Sequence, residues 1–583
     1  MRETIKGHIR RVWWLRLIAF LLFRPRRFRD EFVCSLVDFW RFRRSVDGFK
    51  RFLARPPDAG SDRLGLLIVA GQAMNAQWCQ LWAVLGAVYR NNGHRVFLLT
   101  SKNEPIHNLY FRLFRIEPIY LEDMQIRTCA VPVAFADQVA SLDTFERFKN
   151  FSADGVPFGQ IAISTYSRLR ATGVINATSP EVQTELRAWL IYLYQTFQSA
   201  NALYEMKNIK MLFFTEVFME EYGAFYYGAL KRDLNVIRFA GTVRDNAVVV
   251  QHLTRESDRT HHASVTAESW ARICRYPDSP VVNRELEQNF LDRYGDRWAL
   301  SKRNQPNTRI MSPQEARALL GVPDDRKIAV IFSHILYDTL FFFGEDLFSC
   351  YADWFVESVK AACRNPRVEW FVKVHPSNLW RGELEHFFGG KYEEVRLIER
   401  FIGQQLPAHV QLVYPDTPIS PYTWFQVADY GVTVRGTSGI ELAALGKTVI
   451  TAGSGRYEKI GFTINPQTAK EYLSLLSGLP DIPRLTAEQR WLGERFAYAT
   501  FCMKPFTLDF LRPQPRAGRS SIFSSDDLVY IGNFSDDLTA LPASITRFVD
   551  WSFDRDSVDL LNEWPTTAED DVPAAISAAR IGS

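Results

Sequence analysis

Beyond Pro56-Pro57 the chain alternates between short apolar runs and longer stretches whose apolar residues recur at helical spacing. Leu64-Gly65-Leu66-Leu67-Ile68-Val69 offers no polar position to water, the pattern of a parallel strand covered on both faces. A helix is expected from about Asn75 to Arg90, Asn92-Gly93-His94 closes it, and Arg95 to Thr100 reads as the next strand. This is a βαβ opening with Gly71 at the carboxyl end of its first strand, but it lacks the GxGxxG fingerprint of nicotinamide binding. Residues 130–205 read mainly as helix, with Thr178-Ser179-Pro180-Glu181 as a start signal. Ile209 to Thr215 is strand-like, Glu220 to Arg232 helical, and Asn235 to Phe239 strand-like again.

After a polar stretch near 300–325 the alternation begins afresh. Lys327 to Phe332 and Val368 to Val374 read as strands, with a helix expected over 347–364 between them. Two successive β/α runs predict an α/β protein with two Rossmann-like, doubly wound domains facing a cleft. The expected division is 1–56, a basic amphipathic helical segment; 57–310, a first Rossmann-like domain with a helical insertion; 311–480, a second; and 481–583, a helical extension with a loose tail from about Glu569.

Length and composition agree with that division. A chain of 583 residues exceeds one ordinary core, and 47% hydrophobic against 23% charged is the balance of a globular protein. The net charge of +3 hides an asymmetry, because residues 1–56 carry fifteen Lys/Arg against five Asp/Glu. A basic end on an otherwise acidic body argues against nucleic acid as a partner. The seven cysteines are scattered with no CxxC pair, which excludes a disulfide framework or a zinc site and fits reduced thiols in the cytoplasm. The apolar run Val12 to Phe23 contains Arg16 and rises only about 18 Å as a helix, too short for a hydrocarbon core of about 30 Å. Arg24-Pro25-Arg26-Arg27-Phe28-Arg29 follows it where a signal peptide would place small residues. Two readings remain: a helix lying in an anionic membrane interface, or one docked on the protein's own body.

The residues with chemistry cluster after strands of the second domain. His375-Pro376 stands where a strand must stop, on the side that faces the ligand crevice of an open sheet. A histidine there can donate to a phosphate, or can simply be satisfied by nearby backbone. Lys373 is expected on the opposite face. Arg435-Gly436-Thr437-Ser438-Gly439-Ile440-Glu441 opens a helix whose free N–H groups suit an anion, although Ser438-x-x-Glu441 also has capping-box spacing. Gly446-Lys447-Thr448 lacks the leading glycine of a P-loop, its place being held by Glu441. Ser333, His334 and Asp338 follow the first strand of this domain. In the other domain Glu216, Glu220 and Glu221 follow a strand and could supply a carboxylate general base. Asp554-Arg555-Asp556 matches a DxD pattern but lies near the tail and reads as surface.

Taken in order, these motifs resemble the bacterial capsule polysaccharide biosynthesis family. The resemblance runs from Ile328 through Tyr337-Asp338, Asn365-Pro366 and Val372-Lys373-Val374-His375-Pro376, then Ser420-Pro421-Tyr422-Thr423 and Thr437-Ser438-Gly439-Ile440-Glu441. It closes with Gly446-Lys447-Thr448-Val449, Gly461-Phe462-Thr463 and Glu471-Tyr472, covering about 150 residues. Tyr337 stands where relatives often carry Trp, and Arg435 is more basic than the pattern. The resemblance implies a GT-B glycosyltransferase related to Kdo transferases, inverting and without a catalytic metal or other cofactor. The second domain would hold a nucleotide-sugar donor, CMP-Kdo-like, through Ser333, His334, Asp338, His375, Arg435, Thr437, Ser438, Gly439 and Glu441. The first would bind a lipid-linked or polysaccharide acceptor, with Glu216 or Glu220 as base. A cytoplasmic protein on the inner face of the membrane, beside other polysaccharide-assembly proteins, is the expected setting. A CDP-linked polyol-phosphate transferase and a non-catalytic membrane-docked scaffold are the rivals.

Overall fold

The computed structural model describes residues 26–54, 64–71, 75–295, 297–338, 340–384, 391–519 and 527–565. The Val12–Phe23 run and the acidic tail lie outside the described residues.

The first sheet is built on β1 (Gly65–Gly71), β2 (Arg95–Thr100), β3 (Glu117–Tyr120), β4 (Ile209–Phe214), β5 (Asn235–Gly241) and β6 (Ala247–Leu253). β1 to β5 run parallel, and β6 returns antiparallel beside β5. The apolar run of β1 has its physical reason in the packing. Leu66 and Ile68 enter a core with Trp82, while Leu67 and Val69 enter another with Phe225, so neither face meets water. The helix Ala76–Asn91 is capped by Asn75, whose side chain accepts from the Trp78 N–H at 3.1 Å, and Gly93 at φ 88° turns the chain into β2. Between β3 and β4 stands a helical insertion that includes Phe158–Arg170 and the long Pro180–Met206.

The second sheet contains β7 (Ile328–Phe332), β8 (Glu369–Lys373), β9 (Val410–Val413), β10 (Tyr430–Thr433) and β11 (Thr448–Thr451), all parallel, in the order β11-β10-β7-β8-β9. The helix expected over 347–364 spans Tyr351–Cys363, because the chain before it is a loop. That loop carries Phe342 and Phe343 across to the first domain, where they pack with Phe218 and Tyr226.

Residues after 480 include helix, but they do more than extend the second domain. The helix Ala487–Tyr498 lies on Thr437–Ala444 through Gly493, where a Cβ would come within 2.9 Å of the Ala443 backbone. The chain then crosses back. β12 (Phe506–Thr507) pairs with β6, giving a seven-stranded order β12-β6-β5-β4-β1-β2-β3. The hairpin of β13 (Leu511–Pro515) and β14 (Leu528–Gly532) and the helix Ala543–Phe553 follow, and Phe548 and Trp551 share the core of Ile68 and Trp82. A fully buried ion pair, Lys504 to Asp559 at 2.9 Å, sits on this return, and Asp559 also accepts the Thr266 N–H at 2.7 Å.

Candidate functional site at the crevice of the second sheet

In the second sheet the strand order reverses between β7 and β10, which opens a crevice at their carboxyl ends. A cavity of about 190 Å³ lies there, open to solvent. Its floor is made by the residues that end β7, β8 and β10: Ser333, His334, Lys373, His375 and Thr433. The start of the helix Thr437–Ala444 forms one wall, and Ser301, Asn304 and Gln305 face it.

Lys373 lines this cavity, and the expectation that it points to the opposite face is corrected. Residues two apart on a strand share a face, so Lys373 and His375 project together. The Lys373 side chain is 4% exposed, and among the described residues no carboxylate or hydrogen-bond acceptor meets its Nζ. Burial alone lowers its pKa from 10.5 to about 8. It still carries its charge at neutral pH.

His375 is neutral beside it. Burial, then the charges of Lys373 and Arg381, depress its pKa to about 3. The Ser377 N–H and hydroxyl both donate to Nδ1, at 3.3 and 2.7 Å, which places the proton on Nε2 as a donor. The helix start adds two more donors. Gly436 is the N-cap and brings no side-chain cap, so the N–H groups of Thr437 and Ser438 have no partner among the described residues. The capping box read from Ser438 and Glu441 does not form. Glu441 is held elsewhere, by Arg293 at 3.0 Å and by the Tyr294 hydroxyl. A cation, a neutral imidazole N–H and a helix amino end converging on one cavity are suited to a phosphate.

Other expected residues hold this cavity together, whether or not they line it. His334 accepts the N–H groups of Val434 and Arg435 on Nε2, at 3.2 and 3.4 Å, and so ties the end of β7 to the loop after β10. Burial and the charge of Arg435 hold it neutral. Arg435 spends its guanidinium on the Tyr351 hydroxyl, the Ser454 and Glu345 carbonyls and Asp346, and it does not line the cavity. Gly439 is needed for space, since a Cβ there would meet the Tyr457 hydroxyl at 2.2 Å. That hydroxyl donates to the Gly436 carbonyl and fixes the N-cap. Thr437 accepts from Arg456 at 3.0 Å.

One support was missed in the sequence. Glu394, fully buried at the start of the helix Glu393–Phe401, accepts the Ser333 hydroxyl at 2.9 Å, the Asn378 amide at 3.1 Å and the His375 N–H. Burial raises its pKa to about 7. Its neighbour Glu393 accepts the Gly173 N–H of the first domain at 3.1 Å. Two glutamates opening a surface-like helix carry no local signal of this role.

Across the cleft, Glu216 and Glu220 follow β4, where the first sheet's own order reverses between β4 and β1. Burial and the neighbouring Asp338 raise the Glu216 pKa, and its Oε2 has no hydrogen-bond partner among the described residues. Burial, then Glu221 and Glu216, raise Glu220 to about 7. Glu220 also adopts φ +50°, a left-handed geometry costly for a side chain with Cβ, fastened by its N–H donating to Thr165 at 2.8 Å. Asp338 is joined to Arg381 at 3.1 Å and Arg168 at 3.7 Å. It therefore belongs with this cluster and not with the cavity. Asp554-Arg555-Asp556 is surface, with Arg555 paired to Asp233. Among the described residues no group of three or more His, Cys, Asp or Glu side chains is placed to hold a metal ion.

No family model and no curated protein matches this sequence. Similar solved structures include the beta Kdo 2,4 transferase of Thermosulfurimonas dismutans KpsC, at 14% identity over 52% of this chain and 83% of that one, TM-score 0.29. A glycosyltransferase from Rickettsia africae is 10% identical over 77% and 95%, TM-score 0.25. A UDP-GlcNAc 2-epimerase from Neisseria meningitidis bound to UDP-GlcNAc is 11% identical over 74% and 94%, TM-score 0.28. At these values the likenesses carry no functional argument, and the fold class rests on the two parallel sheets themselves.

Proposed function

We propose that this chain is a glycosyltransferase of bacterial surface polysaccharide synthesis that binds a nucleotide-sugar donor at the crevice of the second sheet. The observation that carries the reading is Lys373, a charged side chain buried in the floor of an open cavity with no counter-charge among the described residues. Such a group is costly unless an anion joins it. The donor phosphate supplies that anion, held also by the His375 Nε2–H and the N–H groups of Thr437 and Ser438. A CMP-linked, Kdo-like sugar is the preferred donor, because the order of motifs from Ile328 to Tyr472 resembles that family.

In the transfer, an acceptor hydroxyl on a lipid-linked or polysaccharide chain attacks the anomeric carbon. The bond from that carbon to the phosphate oxygen breaks, and the acceptor proton passes to a carboxylate of the facing cluster. Glu220 is the favoured base, since a pKa of about 7 lets it take a proton at neutral pH and release it again. The negative charge gathering on the leaving phosphate falls on Lys373 and the helix start.

Calorimetric titration of the purified protein with CMP, CDP, UDP and GDP tests the reading. Binding of at least one, lost in Lys373→Ala, is the expected result, with CMP tightest. CDP preference would transfer the reading to polyol-phosphate donors. Binding of none by a folded protein would overturn the donor site and leave the scaffold.

A further inference from the structure

The helix Arg26–Ser45 has two apolar faces, and only one is used. Phe32, Phe39 and Phe42 are buried against the first domain, Phe39 and Phe42 packing edge-on against Tyr110 at 5.4 and 5.3 Å. On the outer side, Val33, Val37 and Trp40 stand 52%, 44% and 49% exposed. Their spacing of four and three residues stacks them in one line along the helix. Arg44, four residues on, continues the line, and Arg43 lies over the Trp40 ring at 4.7 Å. Neither arginine has a carboxylate partner among the described residues.

We propose that this face docks on an anionic lipid bilayer. Three observations select a bilayer over other occupants. The stripe is narrow and shallow, one helix wide, and ends in a tryptophan flanked by arginines, the side-chain pairing suited to a headgroup boundary. Its surroundings are basic: Arg26, Arg27 and Arg29 open the same helix, and residues 1–56 as a whole carry fifteen basic residues against five acidic. The helix carries six arginines against Asp30, Glu31 and Asp38, and Asp38 is 1% exposed and bound to Arg41 at 3.1 Å, so the helix is net basic. Because the inner face is already fixed to the domain, the helix would carry the whole folded body to the membrane without unfolding anything. This inference does not depend on the donor reading.

The test is sedimentation of the full chain with vesicles of neutral phosphatidylcholine and of phosphatidylcholine containing about a third phosphatidylglycerol, at low and high salt. The wild type is expected to bind the anionic vesicles, more weakly as salt rises. Val33→Ser/Val37→Ser/Trp40→Ser is expected to reduce that binding at least tenfold, and Arg43→Glu/Arg44→Glu to reduce it several-fold. Both variants should keep the wild-type melting temperature, since the changed side chains are exposed. Unchanged binding by folded variants would overturn the proposal and move the anchor to the apolar run at 12–23. Equal binding to neutral vesicles, or a concentration-dependent dimer that the triple serine variant abolishes, would overturn it too, the latter assigning the face to a second copy.

Discussion

The two sheets bring opposite charge arrangements to the cleft. At the reversal of the second sheet, Lys373 stands buried beside a neutral histidine and two backbone donors, with no counter-charge and no acceptor for those donors among the described residues. At the reversal of the first, Glu216, Glu220 and Asp338 are interleaved with Arg168, Arg238 and Arg381. The first arrangement leaves a buried cation without an opposing charge among the described residues, which is costly. The second is nearly balanced by itself, and the raised pKa values of Glu216 and Glu220 suit groups that exchange protons. The two sides thus differ in whether the buried charge already has its partner.

The largest effect expected from this difference is on the carboxylate side. Glu220→Gln should lower turnover about 10²- to 10⁴-fold while leaving nucleotide affinity within a factor of two or so, measured by transfer assay and calorimetry together. Intact turnover in this variant would remove Glu220 and break the comparison. On the other side, Lys373→Ala should weaken nucleotide binding about 10- to 150-fold, the worth of one charge-assisted hydrogen bond.

Lys373→Met sharpens the contrast. Removing a buried unpaired charge should stabilise the nucleotide-free protein by about 1–3 kcal/mol at pH 7, seen as a raised Tm. The sign follows from the depressed pKa: the cost is present while the lysine is protonated below about 8 and disappears as the pH approaches 10.5. A Met variant no more stable than the wild type would mean that Lys373 has a partner.

The same values set a pH profile. Activity as kcat/KM should rise through about pH 7 as Glu220 loses its proton and fall above about pH 8 as Lys373 loses its charge. No limb should come from His375, which loses its imidazolium charge by about pH 3 and stays neutral above it. The smallest effect expected is for Glu394→Gln. It keeps an acceptor for His375 but brings an amide against the Ser333 hydroxyl and the Asn378 amide, so nucleotide affinity should drop about three- to tenfold. Glu394→Asp, which keeps the charge, should recover part of it.

The strands β1, β2, β4, β5, β7 and β8 were legible because parallel strands buried on two faces must be continuously apolar, as β1 and β7 are, whereas β3, β6, β9 and β11 went unread. The position of His375 followed from proline ending a strand, whereas at Thr437-Ser438 the sequence left free helix-start N–H groups and a Ser438–Glu441 capping box both open, and the structure decided against the box. The facing of Lys373 was within reach of the same local rules, since it shares a face with His375. It was misread because a strand apolar on both sides gives no polar alternation to orient it. Glu394 and Arg435 are different in kind. Their partners lie about 60 to 90 residues away, and no local pattern carries that distance.

What the sequence by itself determined is therefore whatever depends on neighbours in the chain: strand and helix order, the two α/β runs, the strand ends where chemistry gathers, and the basic amino end. Only the tertiary structure decided which charges meet. It left Lys373 without a partner among the described residues, enclosed Glu441 between Arg293 and Tyr294, and led the chain after residue 480 back to β6 and the core of the first domain. The reason is physical. Local propensity acts over a few residues, whereas burial, which fixes both the cost of a charge and its pKa, is a property of everything packed around it.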